Sequence, residues 1–128
     1  MIITGSHADI PLTEEIKRLM QTKPVIGTGI LNLKQLAALC RKLDLYISAD
    51  SGPLHIATAA GCPKIIALFG PTSTEVTGPC PLKNVIIIQK ATGCRIPCYT
   101  VNCQDNRCMR AITVQDVFTA AAKIIRAK

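Results

Sequence analysis

The chain has 128 residues, 48% of them apolar and 18% charged, which is enough for one domain with a single core and excludes a disordered chain. No run of 18 apolar residues is present, and residues 1–5 have neither a basic region nor a long apolar stretch, so we expect no membrane span and no signal peptide. The net charge of +7 favours an anionic partner or a solvated basic surface, and the lack of Trp argues against nucleic acid held by base stacking.

The first third of the chain alternates between strand and helix patterns. Residues 1–4 are apolar and β-branched and predict a buried strand, and Pro11 fits the first turn of a helix that continues to about residue 22. Residues 24–26 predict a second short strand. Asn32 is expected to cap a helix whose apolar residues recur at helical spacing over residues 33–43.

The same alternation continues through the middle of the chain. Residues 45–49 predict a strand, and residues 53–60 predict a helix that stops at Gly61. The apolar runs 64–69 and 85–88 have the length of strands that are covered on both faces.

The last helix is predicted to begin at Thr113, because Thr113 and Asp116 have the spacing of a capping box. Strands separated by helices pair in parallel through right-handed crossovers. We therefore expect an α/β fold with a doubly wound parallel sheet of about five strands, forming a single domain over residues 1–128 with a long loop over residues 89–112.

The segment that follows the predicted strand 45–49 is the strongest candidate for a ligand site. Ligands of open parallel sheets bind beyond the carboxyl ends of the strands. Asp50 closes the strand, Ser51 is expected to cap the next helix, and Gly52 lets a ligand approach the backbone. Pro53 fixes the first helical turn, and His55 lies near the helix start, where free amides and the helix dipole attract a phosphate.

A second loop, residues 70–74, joins Gly, Pro and three hydroxyl residues after another predicted strand. This composition suits a phosphate or sugar contact, and it also suits an ordinary turn.

A third loop has the form Gly27-x-Gly29-x-x-Asn32, which is close to a dinucleotide-binding fingerprint, with Asp50 at the end of the following strand as the ribose-binding acid. Asn32 replaces the third glycine and fits a helix cap better, so this interpretation is the weaker one.

Seven cysteines and no export signal argue against a complete set of disulfides. Cys40 and Cys62 lie in apolar surroundings and are expected to fill the core. Four others share the loop over residues 89–112, where zinc, one or two disulfides or reduced thiols all remain open: Cys94, Cys98, Cys103 and Cys108.

Several segments together resemble one protein family, the lipopolysaccharide heptosyltransferases of glycosyltransferase family 9. The pair DSGP-x-H and LFGPT, in this order and spacing, carries most of the resemblance, which covers nearly the whole chain. The matching segments are residues 33–39, 50–57, 59–63, 67–72 and 108–113.

The resemblance implies a GT-B fold, in which two Rossmann-like domains enclose the active site. This chain is expected to be the C-terminal half, which binds ADP-heptose, without that domain's first strand and without the domain that binds the lipopolysaccharide core acceptor. The resemblance further implies that the enzyme is cytoplasmic and at most peripheral to the inner membrane. A fragment of this kind is also expected to expose apolar surface through which it dimerises.

The resemblance also implies a role for each residue of the first loop. Asp50 would lie near the sugar hydroxyls of the donor. Ser51 and Gly52, just before Pro53, would offer hydrogen-bond donors to the diphosphate, and His55 would lie against it.

Three further positions follow from the resemblance: Thr72 at the cleft near the donor, Leu31 with Ile30 along the adenine, and Asp9 near the ribose. The implied reaction is heptosyl transfer from ADP-heptose with inversion, without a metal because no D-x-D pair is present. The general base is expected in the other domain, so the fragment alone should be inactive. The alternative function is a non-catalytic module that binds a nucleotide or a metal.

Overall fold

Five short parallel strands alternate with helices in the computed structural model, which describes residues 1–100 and 102–126. The strands are β1 (Ile2–Ile3), β2 (Val25–Ile26), β3 (Tyr46–Ala49), β4 (Ile65–Phe69) and β5 (Val85–Gln89). The helices are α1 (Ile10–Leu19), α2 (Leu33–Cys40), α3 (Gly52–Ala59), α4 (Thr74–Thr77), α5 (Arg107–Arg110) and α6 (Val114–Arg126), with 3-10 turns at His7–Asp9 and Leu82–Asn84. The α/β class predicted from the sequence is confirmed.

The strands form two parallel sheets. In the first, β1 pairs with β2, with Ile2 opposite Val25. In the second, β4 lies between β3 and β5, with Ile65 opposite both Tyr46 and Val85. The expected number of strands is thus confirmed, whereas their pairing in one sheet is not found among the described residues. Hydrophobic periodicity reports which residues are buried and does not report which strands are neighbours.

The chain divides into two compact units, residues 1–36 and residues 37–128. In the first unit, the hydroxyls of Thr13 and Thr28 are buried and lie 2.9 Å apart, so each satisfies the other. Helix α1 begins at Ile10 and ends at Leu19, three residues earlier than predicted, because the backbone becomes extended at Met20.

The predicted cap of α2 is confirmed. The amide of Gln35 donates to the side-chain oxygen of Asn32, and the amide of Asn32 donates to the side-chain oxygen of Gln35, both at 2.9 Å. This reciprocal pair is a capping box. Asn32 therefore begins a helix, and it does not act as the third position of a dinucleotide fingerprint.

The core of the second unit surrounds β4, whose Ile66 and Phe69 are completely buried. Leu54 of helix α3 is also completely buried in this core. Cys40 and Cys62 are also buried, as predicted, and burial raises the pKa of both thiols. These cysteines fill space in the core and are poor nucleophiles because they stay protonated.

The last helix, α6, begins with the capping box predicted from the sequence. The hydroxyl and the amide of Thr113 donate to one oxygen of Asp116, at 2.7 and 2.9 Å. The other oxygen of Asp116 lies 2.6 Å from the ammonium of Lys90. The hydrogen bond from Lys90 has the largest effect and the hydrogen bonds from Thr113 come next; together they lower the pKa of Asp116 to about 2.

Within residues 1–100 and 102–126, no helix is long and apolar enough to cross a membrane.

The low pKa of Asp116 predicts a specific acid sensitivity. Because the folded state holds this carboxylate in its charged form, its stabilising effect is complete above about pH 4 and is lost as the pH falls towards 2. We expect the melting temperature of Asp116→Asn to be lower than that of the wild type at pH 6, and the two values to converge by pH 2. Thermal melts across this range measure the difference. In Gln115→Ala, a matched control on the same helix, the difference from the wild type should stay constant with pH; no convergence for Asp116→Asn would contradict the prediction.

Candidate functional site

The turn from β3 into α3 leaves the start of the helix open. Ser51 occupies the N-cap position with an extended backbone, but its side chain makes no capping bond. Its hydroxyl instead donates to the carbonyl of Ala49 at 3.1 Å. Ser51 is thus at the predicted N-cap position, but the capping bond expected of its side chain is absent, because a nearby carbonyl competes for the hydroxyl. The amides of the first helical turn receive no side-chain oxygen from Ser51.

Gly52 and Pro53, the first two residues of α3, shape this helix start. Apart from the adjoining residues and the backbone of its own helix, a Cβ atom placed on Gly52 would meet no atom of the described chain within 4 Å. Pro53 has no amide hydrogen, and the amide of Leu54 already donates to the Ser51 carbonyl at 3.0 Å. The space beside Gly52 is thus open, next to the positive end of the helix dipole. An anion can approach the backbone here without steric hindrance.

Asp50 and His55 flank the open helix start. The Asp50 side chain is only 13% exposed, whereas that of His55 is 49% exposed. The Nε2 atom of His55 lies 3.7 Å from Oδ1 of Asp50, which is close enough for electrostatic attraction and too long for a hydrogen bond. The structure therefore brings together the carboxylate, the imidazole and the helix start that the sequence placed in one site.

The other carboxylate oxygen of Asp50 has a partner that the sequence did not reveal. Thr77, the last residue of α4, donates its hydroxyl to Oδ2 of Asp50 at 3.0 Å. The two residues are 27 positions apart, and a single threonine carries no motif, so no pattern in the sequence indicates this contact.

The second predicted loop, after β4, is held by Gln89 at the end of β5. Its Nε2 atom donates to the carbonyls of Gly70 and Thr72, at 3.2 and 2.9 Å. The carbonyl of Pro71 accepts from the amide of Cys98 at 2.8 Å. The hydroxyl of Thr72 is buried without a partner among the described residues, and a buried polar group of this kind calls for water or a ligand. Gln89 was not predicted as part of the site.

Asp9 and Leu31 belong to the first unit. The carboxylate of Asp9 accepts from the amide and the hydroxyl of Ser6, at 2.7 and 2.6 Å, and these bonds lower the pKa of Asp9. Ile30 is largely exposed, and Leu31 is partly buried. The contacts of these residues with ribose and adenine, which the resemblance implies, stay predictions.

The cysteine-rich loop is more structured than predicted, because it contains α5. All seven cysteines are free. Over the described parts of the chain, no three His, Cys, Asp or Glu side chains are placed to hold a metal ion, so the zinc hypothesis does not fit this geometry. Hydrogen bonds from Thr100 lower the pKa of Cys98, which favours its thiolate. Arg107 forms an ion pair with Asp105.

This loop packs against the turn at Gly70. A Cβ atom on Gly70 would lie 2.5 Å from the sulfur of Met109 and 3.4 Å from that of Cys108. Together with the Cys98 amide on Pro71, these contacts show that the loop supports the turn that carries Thr72.

Comparison with known proteins shows which protein family this chain resembles in sequence. The family model described as "Glycosyltransferase family 9 (heptosyltransferase)" matches residues 1–108. Lipooligosaccharide heptosyltransferase 2 of Campylobacter jejuni serotype O:6 is 27% identical over 97% of this chain, and lipopolysaccharide heptosyltransferase 3 of Escherichia coli K12 is 31% identical over 94%. The chain spans only 40% and 35% of the lengths of these relatives.

A solved structure from the same family shares the fold of this chain. The crystal structure of a family 9 glycosyl transferase from Veillonella parvula covers 99% of this chain with a TM-score of 0.84 and 26% identity. The chain in turn covers 36% of that structure. This similarity supports the predicted relation to the GT-B glycosyltransferases.

Proposed function

We propose, from the premise that this chain belongs to glycosyltransferase family 9, that it is the part of a heptosyltransferase that binds the nucleotide-sugar donor ADP-heptose. The observation that carries the proposal is the open start of α3, with Asp50 and His55 beside it. The amide of Gly52 at the helix start, an imidazole and a carboxylate around one open space match the needs of a diphosphate joined to a sugar.

The proposed chemistry is stabilisation of the leaving group. As the bond between the sugar and the diphosphate breaks, negative charge grows on the diphosphate oxygens. The amide of Gly52, the positive end of the α3 dipole and the side chain of His55 would stabilise this charge, because they are fixed before the reaction begins. The Asp50 carboxylate would accept hydrogen bonds from sugar hydroxyls and so hold the anomeric carbon in place.

We assign the rest of the reaction to the part of the relatives that this chain does not span. We propose that the acceptor is a sugar of the lipopolysaccharide core and that transfer inverts the anomeric carbon, as the resemblance implies; the names of the relatives support lipopolysaccharide or lipooligosaccharide as the acceptor molecule. The general base would come from the part of the relatives that the chain does not span. Action at the cytoplasmic face of the inner membrane is likewise part of the proposal.

Titration of ADP into the 128-residue chain by calorimetry tests the donor site. We expect Gly52→Ala to weaken ADP binding about tenfold or more, because its methyl group fills the space through which the diphosphate reaches the backbone. The same change should leave the melting temperature equal or higher, since alanine fits this helical position without a clash. His55→Ala should also weaken binding about tenfold, through loss of one charge-assisted contact.

Ala59→Ser, at the exposed far end of the same helix, is the matched control and should bind ADP like the wild type. Wild-type chain that binds no ADP, or Gly52→Ala that binds as tightly as the wild type, would refute the proposed position of the diphosphate.

A further inference from the structure

We propose that Thr77 is a positioning residue that holds the Asp50 carboxylate in the orientation required by the sugar of the donor, an inference that rests on the proposed function. Thr77 does not belong to the DSGP-x-H segment or to the LFGPT segment. It reaches the site from α4, with its hydroxyl 3.0 Å from Oδ2 of Asp50.

The Thr77 hydroxyl has two acceptors within reach but only one hydrogen to donate. The carbonyl of Ser73, one helical turn earlier, lies 3.1 Å away, and Asp50 lies 3.0 Å away. A charged acceptor forms the stronger hydrogen bond, and little water reaches Asp50, whose side chain is 13% exposed. The hydroxyl is therefore directed to Asp50.

Because of this bond, the two carboxylate oxygens of Asp50 have different roles. Oδ2 is held by Thr77, while Oδ1 faces His55 at 3.7 Å, beyond hydrogen-bond distance. Oδ1 thus keeps acceptor capacity for a sugar hydroxyl. A carboxylate released from Thr77 would be attracted to the positive end of α3, where it would repel the diphosphate.

The position of Thr77 is itself fixed by the end of α4. The amide of Gly78 donates to the Thr74 carbonyl at 3.0 Å and closes the helical turn just after Thr77. The side chain of Val76 is exposed, so its packing does not constrain the conformation of this turn. The Thr77 hydroxyl therefore reaches Asp50 from a backbone that is held in place locally.

Calorimetric titrations of ADP and of ADP-heptose into five variants test the inference. We expect Thr77→Val to weaken ADP-heptose binding about fivefold and to change ADP binding less, because Asp50 serves the sugar. Thr77→Ser keeps the hydroxyl and should restore binding to within about twofold of the wild type. In an Asp50→Ala background, Thr77→Val should cause no further loss, since Thr77 acts through Asp50. Val76→Ala, at an exposed position of the same helix, is the matched control and should bind both ligands like the wild type.

The outcomes separate this inference from the proposed function. Wild-type chain that binds neither ligand overturns the proposed function. Wild-type chain that binds both, with Thr77→Val unchanged, with equal losses for ADP and ADP-heptose, or with losses that add to those of Asp50→Ala, overturns the positioning role alone. Melting temperatures of all variants verify that each one is folded.

Discussion

Replacement of Phe69 by alanine is expected to lower the free energy of unfolding by about 3–5 kcal/mol. Phe69 is completely buried and ends β4, which is paired with strands on both sides. Truncation removes the apolar contacts of the ring and leaves a cavity that a strand bonded on both edges is poorly able to close. Because whole domains are stable by only about 5–15 kcal/mol, this loss should be evident in urea denaturation followed by circular dichroism.

Phe118 provides the matched control for this measurement. It is also a phenylalanine, but it lies on α6 with 64% of its surface exposed. Phe118→Ala should cost no more than about 1 kcal/mol, because little of its surface is removed from water in the folded state. Equal losses for the two variants would show that β4 is not the centre of the core.

Gly78→Ala is expected to destabilise the chain by about 1–3 kcal/mol, through overpacking against backbone atoms. A Cβ atom on Gly78 would overlap the carbonyl oxygen of Thr74. That oxygen cannot move away without breaking its bond to the Gly78 amide, so the last turn of α4 must open. Urea denaturation measures the loss, and we expect weaker binding of ADP-heptose as well, since opening of this turn displaces Thr77.

Gly70→Ala tests whether the backbone contact is the cause. There the new methyl group would meet the sulfur and Cγ of Met109, at 2.5 and 2.9 Å, which belong to a flexible side chain. Met109 can rotate aside, so the cost should be smaller, below about 1 kcal/mol. A larger loss for Gly70→Ala than for Gly78→Ala would contradict the argument.

Features with a local pattern were predictable from the sequence. The cap at Asn32 follows from its place just before a helical pattern, the cap at Thr113 follows from its spacing to Asp116, and both are found. The buried strand β4 and the core position of Cys40 follow from apolar surroundings. In these cases the interacting residues lie within one helical turn or one strand, so the sequence itself places them together.

Features that depend on long-range contacts were not predictable. Thr77 and Gln89 act on loops 27 and 17 residues away, and nothing near either residue indicates its partner. The side-chain capping bond expected of Ser51 is absent for a related reason, since the geometry of the turn decides whether a hydroxyl faces an amide or the Ala49 carbonyl. The helix start after β3 was correctly located, whereas the groups that orient its side chains were found only in three dimensions.

The two hydrogen bonds that the Gln89 side chain donates bear on how related sites can be recognised. A side chain with more than one donor hydrogen suits this position, because the NH2 group of Gln89 serves two carbonyls that a carboxylate or an aliphatic side chain could not serve. A chain that contains Gly-Pro-Thr after a buried strand therefore satisfies only half of the structural requirement. The other half is a donor at the end of the adjacent strand, and a search pattern that couples the two positions would find turns that are held in this way.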